Sequence, residues 1–298
     1  MLGSSAFLCR NRVFWPAKGV SVHGPPFALD GIVRRLPLIS RITIRGGQGK
    51  AGHSEPVQQI EFHMGDIISI VGPTGSGKTT LINDIALFAD GQTPSRRTIL
   101  LDGELPPAEF RENPARNPVA IITQHTNFLS DLPVAEFLSI HAGIRHADSS
   151  KTAELAAQTV AFANELTGEP IEETSRMTEL SGGQTRAMLI ADAVIIGNAP
   201  IILLDEIENA GIHRSRALQL LRQYRKIFLF VTHDPYIALL SDTRVVMSGG
   251  MMMKVMRLSD QERQLSAKVH RLDDALANLR NKIRLGEELV ASELEALA

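Results

Sequence analysis

The 298-residue chain carries 31 Lys and Arg against 33 Asp and Glu, a formal net charge of −2, and a single cysteine. That balance supplies no global basic field for nucleic acid, and one cysteine excludes an internal disulfide or a cysteine-built metal site within one chain. The length is enough for one large or two modest domains, and no uncharged apolar run approaches the ~20 residues that a membrane-spanning helix needs.

In chain order, residues 1–38 read as an irregular extension. Gly, Pro and Ser are scattered through it, no periodicity persists, and its basic residues are not followed by the sustained apolar run of a signal peptide. Ser40–Ile44 and Val57–Phe62 are strand candidates on either side of a glycine-rich loop. Their place ahead of the next strand points to an antiparallel sheet beside a main one. Asp66–Val71 is short, apolar and β-branched, as a buried strand is. It runs into Gly72-Pro73-Thr74-Gly75-Ser76-Gly77-Lys78-Thr79, followed by Thr80 and an amphipathic run to Phe88. The pattern G-x-x-x-x-G-K-[ST] between a strand and a helix is a loop whose backbone N–H groups cradle nucleotide phosphates. Gly72, Gly75 and Gly77 keep side chains out of the way, and Thr74, Ser76 and Thr80 complete the cradle. Lys78 is placed for the β- and γ-phosphates and the Thr79 hydroxyl for Mg²⁺.

Arg97–Leu101 and Val119–Thr123 are further strands, the second ending at Gln124. From Asp131 to Met177 the signals turn helical, at Pro133–Leu138 and Lys151–Leu166, so an inserted α-helical subdomain is expected over about 128–198. Leu180-Ser181-Gly182-Gly183-Gln184 precedes a mostly apolar helix at Ala187–Ala191. Ile201–Leu204 is an apolar strand with Asp205 and Glu206 at its carboxyl end; a helix at Arg214–Tyr224 and a strand at Lys226–Thr232 ending on His233 follow. Arg244–Met247 and Met251–Val255 make a hairpin, in which Met251, Met252 and Met253 read as core packing rather than soft-metal ligands. The tail, 258–298, carries Leu265, Val269, Leu272, Leu276, Leu279 and Ile283 at spacings of four and three. That seam fits a helix packed on its own domain as well as a dimer or partner helix.

Ligands in an open parallel sheet bind outside the carboxyl ends of its strands, so Lys78, Gln124, Asp205, Glu206 and His233 can converge on one nucleotide. Asp205 is the metal-holding carboxylate, directly or through water, and Glu206 the candidate general base polarising a water for in-line attack. Gln124 is placed between Mg²⁺ and that water, and His233 against the γ-phosphate. The fold class is α/β: a phosphate-loop (P-loop) NTPase sheet spanning 39–257 with the flanking antiparallel subdomain and the helical insertion.

The order and separations of GPTGSGKTT, Gln124, LSGGQ, IILLDE and VTHD resemble the ATP-binding cassette (ABC) ATPases over Ser40 to about Arg257. LSGGQ is the discriminating motif. The resemblance implies that Ser181, Gly182, Gly183 and Gln184 bind the γ-phosphate of ATP held by a second cassette. It therefore implies a head-to-tail dimer, as a homodimer, with two ATP molecules and Mg²⁺. It further implies a cytoplasmic subunit, peripheral on the inner membrane face, driving a membrane permease in another chain. The alternative is a soluble cassette that remodels a protein or nucleic-acid partner; a phosphate-loop kinase leaves LSGGQ and His233 without purpose. The sequence departs from the family in four places. No aromatic for adenine stacks between Arg45 and Ser54, where only His53 stands in. Ile207–Ile212 replaces the usual Pro-Thr-Ser-Ala-Leu-Asp. Thr185-Arg186-Ala187 and Ala191-Asp192-Ala193 replace Gln-Gln-Arg and Ala-Arg-Ala.

Overall fold

The computed structural model describes residues 39–123, 125–146, 149–205 and 214–289; the extension at 1–38, Gln124 and Glu206 lie outside them. The described chain runs β1 (Arg41–Arg45), β2 (Gln59–His63), β3 (Ile67–Val71), α1 (Lys78–Ala86), β4 (Thr98–Leu101), α2 (Glu109–Glu112) and β5 (Val119–Ile122). It continues through α3 (Val134–Arg145), α4 (Thr152–Leu166), α5 (Gly182–Val194), β6 (Ile201–Asp205), α6 (Arg214–Arg222) and β7 (Ile227–Val231). The last elements are α7 (Pro235–Leu240), β8 (Thr243–Ser248), β9 (Met251–Arg257) and α8 (Asp260–Leu285).

Two sheets form, and the α/β phosphate-loop architecture expected above is borne out. The smaller is antiparallel in the order β2-β1-β4, with Ile42 opposite Phe62 on one side and Leu101 on the other. The larger has the order β5-β6-β7-β3-β8-β9, parallel through β8 and closed by antiparallel β9. The central parallel strands β3, β6 and β7 are almost wholly apolar, broken only by Ser69 and the terminal Asp205, because both faces are covered. Alternation still sorts their side chains between two layers. Ile202, Leu204, Phe228 and Phe230 join the core beneath the helices. Ile201, Leu203, Ile227, Leu229 and Val231 join the core shared with α1 and the small sheet. Met252 is fully buried in that second core, as hairpin packing requires.

On the helical side α3, α4 and α5 pack together. Phe128 meets Phe137 edge-on with ring centroids 5.2 Å apart, and Phe162 of α4 meets Tyr224, just past α6, at 5.0 Å. His141 Nδ1 lies 2.7 Å from Asp192 Oδ1, tying α3 to α5. α3 starts within Pro133–Leu138 as the sequence leads one to expect and runs on to Arg145, with Leu138 and Ala142 continuing its buried face.

The small sheet, α1 and the β8–β9 turn are bolted together by one buried guanidinium. Arg97 and Glu55 are fully buried, and Asp84 nearly so. Arg97 donates to Glu55 Oε1 at 2.6 Å, to Asp84 Oδ2 at 2.8 Å and to the Gly250 carbonyl at 2.7 Å. Glu55 also accepts from the backbone of Met252 at 2.6 Å and Gly47 at 2.9 Å. Burial works against the Arg97 charge, but the two carboxylates outweigh it and raise its pKa above the ordinary arginine value.

Lys226 is the opposite case. Its ammonium is buried at the amino end of β7, donating to Asn198 Oδ1 at 2.7 Å and the Ala199 carbonyl at 3.0 Å, with no carboxylate on it among the described residues. Desolvation pushes its pKa down to about 8 from an ordinary 10.5. Between those values the unfolded chain binds more protons than the native one, so this residue makes stability rise with pH. Denaturant titrations of the native chain minus those of Lys226→Met are expected to show that rise above pH 8; a pH-independent difference would refute it.

α8 starts at a capping box, with Ser259 accepting from Glu262 N and Glu262 receiving the Ser259 N–H, and ends at Gly286 with φ +72°. It rests on α7 through His270, whose ring stacks on Tyr236 at 5.1 Å, and on β8 through Glu262, 3.1 Å from Arg244. The leucine seam faces elsewhere: Leu265, Leu272, Leu276 and Ile283 are 49, 48, 49 and 62% exposed.

Candidate active site

β3 delivers the chain to the carboxyl edge of the large sheet, and the loop Gly72–Gly77 turns there into α1. The turn needs glycine at two points. Gly72 has φ +152°, and a Cβ there would sit 2.3 Å from the Met247 carbonyl oxygen. Gly77, the left-handed cap of α1 at φ +100°, would set a Cβ 2.8 Å from Gly250 Cα. The loop thus lies directly on the β8–β9 turn. Gly250 N donates to the Ser76 carbonyl at 2.9 Å, and Lys50 donates its backbone N–H to Gly249 O at 3.0 Å and its ammonium to Gly75 O at 2.7 Å.

Lys78 is buried and folds back along the loop, donating to the carbonyls of Gly72 at 2.8 Å and Pro73 at 3.1 Å. An ammonium has three protons, so one remains for an anion in the cradle. Ser76 Oγ is buried and has no hydrogen-bond partner in the described chain. A buried hydroxyl left over inside a glycine loop fits a phosphate oxygen as its missing partner. Thr74, Gly75, Thr79 and Thr80 face outward, and α1 adds the positive end of its dipole.

The neighbouring strands arrive at the same edge. Asp205 ends β6 opposite Val231 of β7, and Val231 in turn lies opposite Ile70 of β3. Beyond β7 the Thr232 hydroxyl accepts from Asp234 N at 2.9 Å, and Asp234 caps α7 from Tyr236 N at 2.7 Å. His233 is left exposed on that bend. A cleft of about 510 Å³ brings Gly72 and Pro73 together with His233, Asp234 and Arg244. Neither Asp205 nor Ser181–Gln184 lines it. A larger cleft of about 810 Å³, lined by His63, Asp66, Asp242, Arg257 and Arg263, opens at the amino ends of β3 and β8 instead. That is the wrong edge of a parallel sheet for the chemistry.

Ser181–Gln184 form the start of α5, a turn earlier than the Ala187–Ala191 expected from sequence. Ser181 is the N-cap: its Oγ accepts from Gln184 N at 3.3 Å while Gln184 Oε1 accepts from Ser181 N at 2.9 Å. Gly182 has open space where a Cβ would be. The motif therefore sets first-turn N–H groups at a positive helix end, while the Ser181 hydroxyl donates to Glu169 Oε2 at 3.0 Å. No cluster of three metal-binding side chains occurs among the described residues. One threonine and one aspartate suit Mg²⁺, which keeps most of its shell as water and phosphate. Sequence reasoning passed over Lys50, which holds the Gly75 carbonyl of the phosphate loop; the glycine run around it is the one signal that points there.

Residues 58–209 match the family model described as ABC transporter. An ABC transporter ATP-binding protein of Methanocaldococcus jannaschii is 44% identical over 87% of this chain and 98% of its own length. The β-(1→2)glucan export ATP-binding/permease protein NdvA of Agrobacterium vitis is 33% identical over 67% of this chain, which spans only 36% of that protein. In fold, the chain is similar to a dimeric post-hydrolysis ATP-binding cassette bound to ADP and phosphate, with a TM-score of 0.55 at 20% identity over 73% of this chain and 99% of that one.

Proposed function

Taking as premise that the chain belongs to the ABC family and is an ATP-binding, ATP-hydrolysing cassette, we propose that it drives a membrane permease carried on a separate polypeptide. The preformed phosphate loop, with the Ser76 hydroxyl left unpartnered and Lys78 holding a spare proton, carries the nucleotide part of this reading, and the match to transporter ATP-binding proteins supports the permease part. Among the described residues no helix is long and apolar enough to cross a membrane, and in this reading the spanning segments belong to the permease partner. The place of action that follows is the cytoplasmic face of the membrane.

In this mechanism the loop N–H groups and Lys78 bind the β- and γ-phosphates. Thr79 and Asp205 would hold Mg²⁺, whose charge neutralises the developing negative charge on the phosphates. Glu206 takes a proton from water as its oxygen attacks the γ-phosphorus; the bond to the β-phosphate oxygen breaks, and ADP and phosphate leave. Gln124 orients that water and His233 hydrogen-bonds the γ-phosphate. Ser181, Gly182, Gly183 and Gln184 grip the nucleotide of a second copy. ATP thereby closes two cassettes, and α3–α5 transmit the closure to the permease.

Lys78→Ala is expected to weaken ATP binding about a hundredfold, the loss of a charge-assisted contact to phosphate. Equilibrium titration with a fluorescent ATP analogue measures it, and wild-type affinity in the variant would remove the site. Affinity capture from detergent-solubilised membranes tests the permease: a co-purifying multi-span protein is the expected result, and a wholly soluble partner sinks the transport reading.

A further inference from the structure

Ser181 does not present a free hydroxyl. Its Oγ donates to Glu169 Oε2 at 3.0 Å, and a hydroxyl has only one proton to give. Glu169 is held in place for this contact. Its N–H donates to Thr167 Oγ1 at 3.3 Å, and Gln184 Nε2 donates to the Pro170 carbonyl at 2.9 Å. Buried Ile171 is clamped by Asn164, which accepts from its N–H at 2.6 Å and donates to its carbonyl at 3.1 Å. The segment leaving α4 is thus pinned against the first turn of α5, with a carboxylate on the hydroxyl and close to the positive helix end.

We propose that Glu169 is a built-in competitor for the second phosphate site: it occupies the Ser181 hydroxyl and must be displaced before a partner cassette's γ-phosphate can bind there. This rests on the two-cassette reading above. Two anions cannot share one proton and one helix end without repulsion, so the carboxylate opposes closure. It lets only a triphosphate, which brings the γ-oxygens, overcome the opposition. After hydrolysis and phosphate departure it retakes the hydroxyl and favours reopening. Glu169 is a regulating residue of the interface and takes no part in bond breaking.

The test is the dimer dissociation constant by sedimentation equilibrium at saturating Mg²⁺ and non-hydrolysable ATP analogue. Glu169→Gln keeps the shape and removes the charge, and should dimerise about tenfold more tightly than wild type, equivalent to about 1.4 kcal/mol. Glu169→Ala should dimerise at least as tightly. Glu172→Gln, an exposed neighbouring carboxylate off the hydroxyl, should match wild type. Glu169→Gln dimerising equally or more weakly, with wild type still dimerising, overturns this proposal alone, because Glu169 would then be neutral or supportive. Wild type and Glu172→Gln both staying monomeric with the analogue would overturn the two-cassette reading and this proposal with it.

Discussion

Arg97→Ala is expected to lower the unfolding free energy by about 3–5 kcal/mol. The substitution leaves Glu55 fully buried and Asp84 almost so, each with the charge partner removed. Neither carboxylate can reach water to recover its hydration, and stranding buried charges costs more than the ion pair contributed. Against a typical total of 5–15 kcal/mol, that is a large share of the margin. The loss should also reach the nucleotide site. Arg97 holds the Gly250 carbonyl at 2.7 Å, while Gly250 N holds Ser76 of the phosphate loop at 2.9 Å. ATP affinity should therefore fall in the same variant, even at temperatures where it remains folded. Urea denaturation with a parallel ATP titration measures both. A destabilisation below about 1 kcal/mol would show that the carboxylates are neutral or solvated when alone.

Glu206→Gln is expected to cut ATP turnover about a thousandfold, within the range for loss of a general base. ATP affinity should stay within a few-fold of wild type, because an amide of the same shape leaves the phosphate cradle alone. Two cassettes that close on ATP and cannot hydrolyse it should then accumulate as a dimer. Phosphate release reads the first effect and sedimentation the second. Unchanged hydrolysis would take Glu206 out of the role, and lost turnover without dimers would separate chemistry from closure.

Much of the scaffold was legible because parallel-sheet strands are short, apolar and bounded by turn residues. All nine strands of the described chain fall on runs readable in the sequence, each end within two residues or so. α7 was missed, although Asp234 followed by Pro235 is a cap and first-turn signature in plain view. Its six residues are too few for periodicity to register. The early start of α5 was missed because two glycines read as loop, whereas the Ser181 and Gln184 capping box makes them a first helical turn. The Arg97 bolt was not legible at all. Glu55 lies 42 residues away and Asp84 13, and nothing local marks a charge for the interior. The phosphate loop announced itself because its chemistry is compressed into eight consecutive residues. Glu169 did not, because its meaning depends on a tertiary contact with Ser181.

The seating of the phosphate loop on the β8–β9 turn bears on how the protein can be divided. β3 is flanked in the sheet by β7 and β8, and Gly72 and Gly77 rest on residues 247 and 250. The portion matched by the family model ends at 209, before any of these supports has been made. A fragment cut there would keep every nucleotide motif up to Glu206 yet lack the floor under its own anion cradle. During synthesis, the cradle cannot take its final shape until the ribosome has released the hairpin some 170 residues downstream of it, so nucleotide capture is a late event in the life of each new chain.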